Sequence, residues 1–442
     1  MKKLASVILV LFMTIGVFTA CAQPQQSTAA KEPVAEPVTD ESGVEHEPVT
    51  ISYMRHEIID DTMERQIISE FQEKYPWITV EIMNIPSHET YNKLLLSSQA
   101  GNPPDVFWSF WTAGAAANGL MEDLGPYVSE EDLADFNKDM LGICELDGVL
   151  YALPWRSSSN IYMCNVDVVK NAGLEMPDDK NWTWEEFKTF IKAIHDNSGS
   201  DVYGLGFAGA SSDAGTEWEF KPWLLTAGGH MMNENNTRAA FNSPEGVEAL
   251  TFLCNLVKED LVPPGVTGTN TSILEEMQAS NKLCMWQDGA WMLSTMRENH
   301  PDLNMQALYL PTKDGYRGNI AGGTAIGMAA KSQHKEEAWL FIEFLCSKEN
   351  MLRWCTAVGA LSGRESNWTD EYYQTHDWQV NIDQLKNSDN IFPANAYYDN
   401  ETLNQILRDY LGAAYSGQMT PEDALNAAAN EWNEILSEHY PD

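Results

Sequence analysis

Basic residues are scarce in this chain: 27 Lys and Arg stand against 65 Asp and Glu, a formal net charge of −38 over 442 residues. Such a surface repels phosphate backbones and anionic lipid alike, which argues against nucleic acid as a partner. Histidine is sparse too. The nine are scattered, His56-Glu57 has no second histidine one helical turn further on, and no metal-ligand spacing arises, so no metal centre is expected. No Gly-x-x-x-x-Gly-Lys loop is present. Gly204-Leu205-Gly206-Phe207-Ala208-Gly209 fits Gly-x-Gly-x-x-Gly, yet Ala210-Ser211-Ser212-Asp213 follows where a dinucleotide site needs an apolar helix. That stretch reads as a glycine-rich strand and loop, and no cofactor is implied. Cysteines after Cys21 stand at 144, 164, 254, 284, 346 and 355, without the close pairing of a disulfide scaffold. Most read as buried thiols, with a Cys346–Cys355 bridge left open. After the first twenty residues no apolar run is long enough to span a bilayer.

What is present begins with Met1-Lys2-Lys3, an uncharged apolar run from Leu4 to Phe18, and Thr19-Ala20-Cys21, the order of a secretory signal. The run is shorter than the roughly 20 residues a spanning helix needs. Residues 1–20 are therefore expected to be a cleaved signal peptide. Phe18-Thr19-Ala20-Cys21 resembles the bacterial lipobox, with Phe18 where leucine is usual. The resemblance implies a diacylglycerol on Cys21 and anchoring at the outer face of the cell membrane. Residues 21–48 carry Gln, Ser, Ala, Glu and prolines at 24, 33, 37 and 48, cannot build a packed core, and read as a flexible tether.

From Val49 the pattern alternates strand and helix. Val49, Ile51 and Tyr53 alternate as a strand; Ile59, Met63, Ile67 and Phe71 recur as one helical face; Ile78, Val80 and Ile82 alternate again. Tyr91, Leu94 and Leu95 mark a second helix before a buried strand from Pro104 to Phe110, giving a doubly wound α/β start. Asp147-Gly148 predicts a tight hairpin turn leading into Pro154-Trp155-Arg156. Thr183 with Glu186 forms a capping box, and Ser243-Pro244 and Thr420-Pro421 open two further helices.

Tryptophan is abundant, with 15 in the chain. Trp184, Trp339 and Trp432 lie on periodic apolar faces and read as packing. Trp108, Trp111, Trp155, Trp223, Trp286 and Trp291 instead sit beside glycine or charge just after predicted strands. Sugar rings present flat apolar C–H faces edged by hydroxyls, so flat aromatics rimmed by Arg156 and Asp288 suit a carbohydrate. Glycoside hydrolysis, which needs only two carboxylates across a cleft, stays open as an alternative, with Asp288 beside Trp286 and Trp291 the nearest to a raised acid. A non-sugar solute such as a peptide or polyol stays open too.

These segments, Phe71 to Val80, Gly101 to Phe107, Asp147 to Trp155, Ala172-Gly173-Leu174 leading into Trp182 to Phe187, Phe241 to Pro244, Asp288-Gly289-Ala290-Trp291, Gly322-Gly323 with Ala338 to Phe341, and Pro421 to Leu425, resemble the extracellular solute-binding proteins of family 1. These are the sugar-binding lipoproteins of carbohydrate ABC importers. Met163-Cys164-Asn165 and Met277 to Lys282 depart from the family pattern. The resemblance implies an α/β, two-lobed periplasmic-binding-protein-like fold of type II, its lobes joined by crossing hinge segments near Trp155-Arg156, Leu310 to Arg317 and Leu361 to Arg364. It places residues 49–155 and 311–362 in the N-terminal lobe and 156–310 and 363–442 in the C-terminal lobe. The implied ligand site comprises Tyr53, Trp108, Trp111, Trp155, Arg156, Trp223, Trp286, Asp288, Trp291, Gly323 and Arg364. Implied partners are a carbohydrate, two permease subunits and a cytoplasmic ATPase, with the protein itself a monomer and not an enzyme.

Overall fold

The computed structural model describes residues 37–39, 43–56, 58, 60–86, 89–394 and 397–441. The expected signal peptide, Cys21 and Ile59 lie outside them. Residues 49–109 build the alternation read from the sequence. Strand β1 (Val49–His56) pairs in parallel with β2 (Ile78–Ile85) and with β3 (Val106–Ser109). Helix α1 (Thr62–Lys74) joins β1 to β2 and buries Ile67, Ile68 and Phe71; α2 (Thr90–Gln99) joins β2 to β3 and buries Leu94. The tether expected to residue 48 is already docked from Val38: Val38–Thr39 pairs with Glu45–His46, and the His46 ring stacks on Trp77 at 3.8 Å. Asp147 and Gly148 take φ of 52° and 78°, the left-handed pair that a two-residue hairpin requires, and Leu146 faces Val149 across it.

Two long strands carry the fold from one lobe to the other. Strand β4 (Ala152–Asn165) is followed by β5 (Tyr203–Leu205), β6 (Leu283–Gly289), β7 (Met305–Leu308), β8 (Gly318–Met328), β9 (Leu361–Ser362) and β10 (Asn390–Pro393). The main sheet has ten strands in the order β2-β1-β3-β8-β4-β6-β5, with β7 and β9 also on β4 and β10 on β8. The first part of β4 pairs with β8 and β9, and its second part with β6 and β7. Each lobe thus has its own core on one shared sheet. The first core collects Ile51, Phe71, Phe107, Leu153, Ile326 and Phe341. The second collects Tyr162, Phe187, Trp223, Leu253, Leu407 and Trp432, with a smaller cluster around Ile161, Trp286 and Met296 on the opposite face of the sheet.

The crossings differ from those expected. Residues 311–317, assigned from sequence to the first lobe, are held in the second: Thr312 N donates to Trp182 O at 2.8 Å and Arg317 reaches Asn181 Oδ1 at 2.9 Å. The chain crosses later, within β8, where Ala321 to Gly323 face Ser159 to Ser157. Trp368 and Tyr373, assigned to the second lobe, join the first core. Helix α3 (Gly215–Thr226) and helix α4 (Trp291–Asn299) belong to the second lobe. Helix α5 (His376–Asn387) lies across the junction, giving Val380 to one lobe and Leu385 to the other. Then α6 (Asn400–Tyr415) and α7 (Pro421–His439) complete the second lobe.

Candidate functional site

Two glycines at the crossing, Gly289 and Gly322, make room for two indoles. A Cβ on Gly289 would strike the Trp291 ring at 1.9 Å, and one on Gly322 would lie 3.0 Å from the Trp218 ring and 3.9 Å from that of Trp291. The two rings meet edge to face, centroids 5.5 Å apart at 81°, and both stay half-buried rather than sealed in a core. Gly323, with φ of 154°, brings its backbone so close to β4 that a Cβ would sit 1.9 Å from Arg156 O. Beneath Trp291 is a narrow recess with room for about one water molecule. Its walls are Arg156 to Ser158 of β4, Gly323 of β8, Gly359 to Leu361 of the returning segment, and Trp378 and Asn381 of α5.

Charges of opposite sign flank this junction on different sides. Arg156 donates from Nε to Thr324 Oγ1 at 2.8 Å, and burial lowers its guanidinium to about 10. Next to it in the first lobe, burial and then the charges of Arg156 and Arg55 hold His56 down to about 3, so its ring is neutral. That ring meets Trp108 edge-on at 4.5 Å and stacks with Phe110 at 5.3 Å. On the α3 side, burial raises the Asp288 carboxyl to about 7 although Gly289 N donates to it at 2.6 Å. Burial raises Glu219 to about 7 as well, its only donors among the described residues being Trp223 Nε1 at 3.0 Å and Tyr162 OH at 3.3 Å.

Of the residues expected at the ligand, Arg156, Trp291 and Gly323 line the recess and Asp288 precedes the turn into α4. The others have different work. Tyr53 donates to buried Glu64 at 2.8 Å and accepts from Trp108 Nε1, in a network completed by Arg55. Trp155 packs on Trp354 at 4.7 Å inside the first core. Trp223 is wedged among Trp184, Phe187 and Phe252, and Trp286 donates to buried Gln278 at 2.8 Å. Both are core residues whose indole N–H groups are satisfied by buried polar side chains, Trp223 by Glu219 one helical turn before it and Trp286 by Gln278. Trp111 is half-buried against Tyr91 at 5.0 Å. Arg364 is drawn into the first lobe by Asp132 and Asp135, at 2.7 and 3.2 Å, and lies over Phe136. Trp218, Trp378 and His56 were not singled out. His56 was within reach, since it ends a parallel strand where ligands of α/β sheets gather; nothing in the local sequence separates Trp218 or Trp378 from packing residues.

All six described cysteines are buried free thiols, Cys346 and Cys355 among them. Among the described residues no cluster of three or more His, Cys, Asp or Glu could hold a metal, and no helix is long and apolar enough to cross a membrane.

Comparison with known proteins places this geometry. The profile of the family described as bacterial extracellular solute-binding protein matches residues 57–352. The arabinooligosaccharide-binding protein of Bacillus subtilis is 23% identical over 398 residues, covering 83% of this chain and 88% of its own. The maltotriose-binding protein of Pyrococcus abyssi is 23% identical over 302 residues, 66% of this chain and 61% of that one. A solved ABC transporter solute-binding protein from Thermotoga lettingae, with alpha-D-tagatose bound, superposes with a TM-score of 0.76 at 25% identity, covering 88% of this chain and 99% of its own.

Proposed function

The chain belongs to the bacterial extracellular solute-binding protein family, and we propose that it captures a mono- or oligosaccharide between its two lobes and delivers it to the permease of an ABC importer. The observation that carries this reading is the pair of half-buried indoles, Trp218 and Trp291, seated on glycines where the strands cross between lobes. Flat aromatic faces take the C–H faces of a sugar, and Arg156 and Asp288 supply polar groups for hydroxyls. The relatives named for sugars and the tagatose-bound neighbour support the same class of ligand.

Capture proceeds without turnover. Hydrolysis needs two carboxylates free to flank a glycosidic bond. Glu219 is sealed in the second core, and Asp213 is occupied by the N–H groups of Gly215 and Thr271 and by Thr271 Oγ1. Asp288 is left without a partner for that chemistry. Binding energy goes instead into the closed state, because a ligand shifts the open and closed populations only by its differential affinity for them. The protein works as a monomer held at the outer membrane face through a lipid on Cys21; two acyl chains satisfy the two-signal requirement for stable anchoring.

Calorimetric titration of a sugar panel, with small-angle scattering to follow compaction, tests the reading. Micromolar binding corresponds to about −8 kcal/mol, and Trp291→Ala, which removes one platform, should weaken it about tenfold. Compaction by a peptide or polyol, with every sugar silent, would overturn the substrate class; unchanged affinity in Trp291→Ala would overturn the placement of the site. Cys21→Ala should release the protein into the medium or block its processing.

A further inference from the structure

The recess beneath Trp291 carries unpartnered hydrogen-bond donors and no carboxylate. Asn381 is buried, and its Oδ1 accepts from Ser159 N at 2.8 Å, which fixes the amide orientation and leaves Nδ2 without a partner. Ser157 Oγ is buried and unpartnered as well. Two of the wall carbonyls already accept, Gly359 O from Ser294 Oγ at 3.0 Å and Ala360 O from Tyr373 OH at 2.9 Å. Ser158 Oγ is spent between Ser159 O and Ala290 N. None of the lining residues is acidic.

Arg156 completes the set. Its Nε is used by Thr324, and among the described residues no carboxylate lies within ion-pair distance of its terminal nitrogens. This is unusual in a chain of net charge −38, where the buried arginines 55, 364 and 408 each have carboxylate partners. A partly desolvated guanidinium without a counter-charge is costly, and an anionic ligand group removes that cost on binding. Sugar hydroxyls both donate and accept, whereas a carboxylate only accepts and fits the arginine fork with two parallel bonds. Asp288 does not oppose such a group: its electrostatic neighbours are Asp213 and Glu219 on the α3 side.

We propose that the sugar captured is acidic, a uronate-type saccharide whose carboxylate pairs with Arg156 beside the recess that Ser157 and Asn381 line. This rests on the carbohydrate-capture reading and adds the chemical class of the ligand. The probes are uronate trisaccharides and their neutral counterparts: galacturonate with galactose, glucuronate with glucose, mannuronate with mannose. Each is titrated calorimetrically into the mature protein at low and high salt. In at least one pair the uronate should bind about tenfold tighter than its neutral twin, a difference that salt reduces. Arg156→Gln should abolish the preference and Arg156→Lys keep part of it. Ser157→Ala, which removes one donor and leaves the charge, should weaken only the uronate; melting curves verify that the variants fold. Neutral sugars binding as tightly as their uronates, or a preference that survives Arg156→Gln, would overturn the acidic class while leaving sugar capture intact. Silence from every uronate would also overturn it, and silence extending to the wider neutral panel would take the capture reading with it.

Discussion

Glutamate 219 is a carboxyl buried in the second core with two neutral donors and no cation, so its ionisation opposes folding. In the unfolded chain it titrates near the ordinary 4.5, and in the folded protein near 7. Below about pH 4.5 both states hold the proton and nothing is lost. Between the two values the unfolded chain ionises first, and each pH unit weakens the fold by about 1.4 kcal/mol. Above 7 the loss is complete at about 3 kcal/mol, a sizeable share of the 5–15 kcal/mol typical of a folded domain. Glu219→Gln keeps the shape and an oxygen for Trp223 and Tyr162 while removing the ionisation. Urea unfolding from pH 4 to pH 9 should therefore give curves that nearly coincide at the acid end and separate by about 3 kcal/mol, variant above parent, at the alkaline end. Asp288, raised to about 7 by burial, titrates in both proteins, and because its charge acts on Glu219 the separation measures the Glu219 carboxyl together with its coupling to Asp288. A separation that stays constant with pH, or a variant weaker than its parent at pH 9, would refute the reasoning.

Other perturbations follow from the same geometry. Gly323→Ala puts a Cβ 1.9 Å from Arg156 O and should cost more than about 2 kcal/mol in a melting experiment; an unchanged melting temperature would mean the β4–β8 crossing yields. Arg55→Met strands the buried Glu64 beside it, 2.7 Å away in the parent, and should cost about 3–5 kcal/mol in urea unfolding, largely recovered by adding Glu64→Leu. Burial raises the thiols of Cys144, Cys254, Cys346 and Cys355, Cys346 to about 12, and all six described cysteines are buried, so an aromatic disulfide reagent should label none of them in the native protein and all six after denaturation. Rapid labelling of any one in the native state would contradict its burial.

The sequence made the start of the fold legible because its signals are local. Alternation at Val49 to Tyr53 and at Ile78 to Ile82, the Asp147-Gly148 turn, and the caps at Thr183, Ser243 and Thr420 each depend on neighbours a few residues away, and each stands in the structure. The two-lobed architecture came from resemblance rather than periodicity. Site residues were harder because a tryptophan beside charge looks alike in a cleft and in a core. Trp223 sits near the charge of Lys221, yet Lys221 is itself buried against Asn404, 183 positions away. Trp286 found its acceptor in Gln278 of a helix packed on its strand. Where the partner is distant in sequence, composition cannot say whether a polar neighbour faces solvent. Arg156, Trp291 and Gly323 came together because β4, α4 and β8 converge at the crossing, a feature of topology rather than of local pattern.

The threading of β4 and β8 through both lobes also governs when the protein can fold. Synthesis supplies residues in order, about 5–20 per second. The first lobe waits for β8 and for Trp368 and Tyr373, and the second waits for α6 and α7 at residues 400–439. Half-made chains therefore have no complete core to close around.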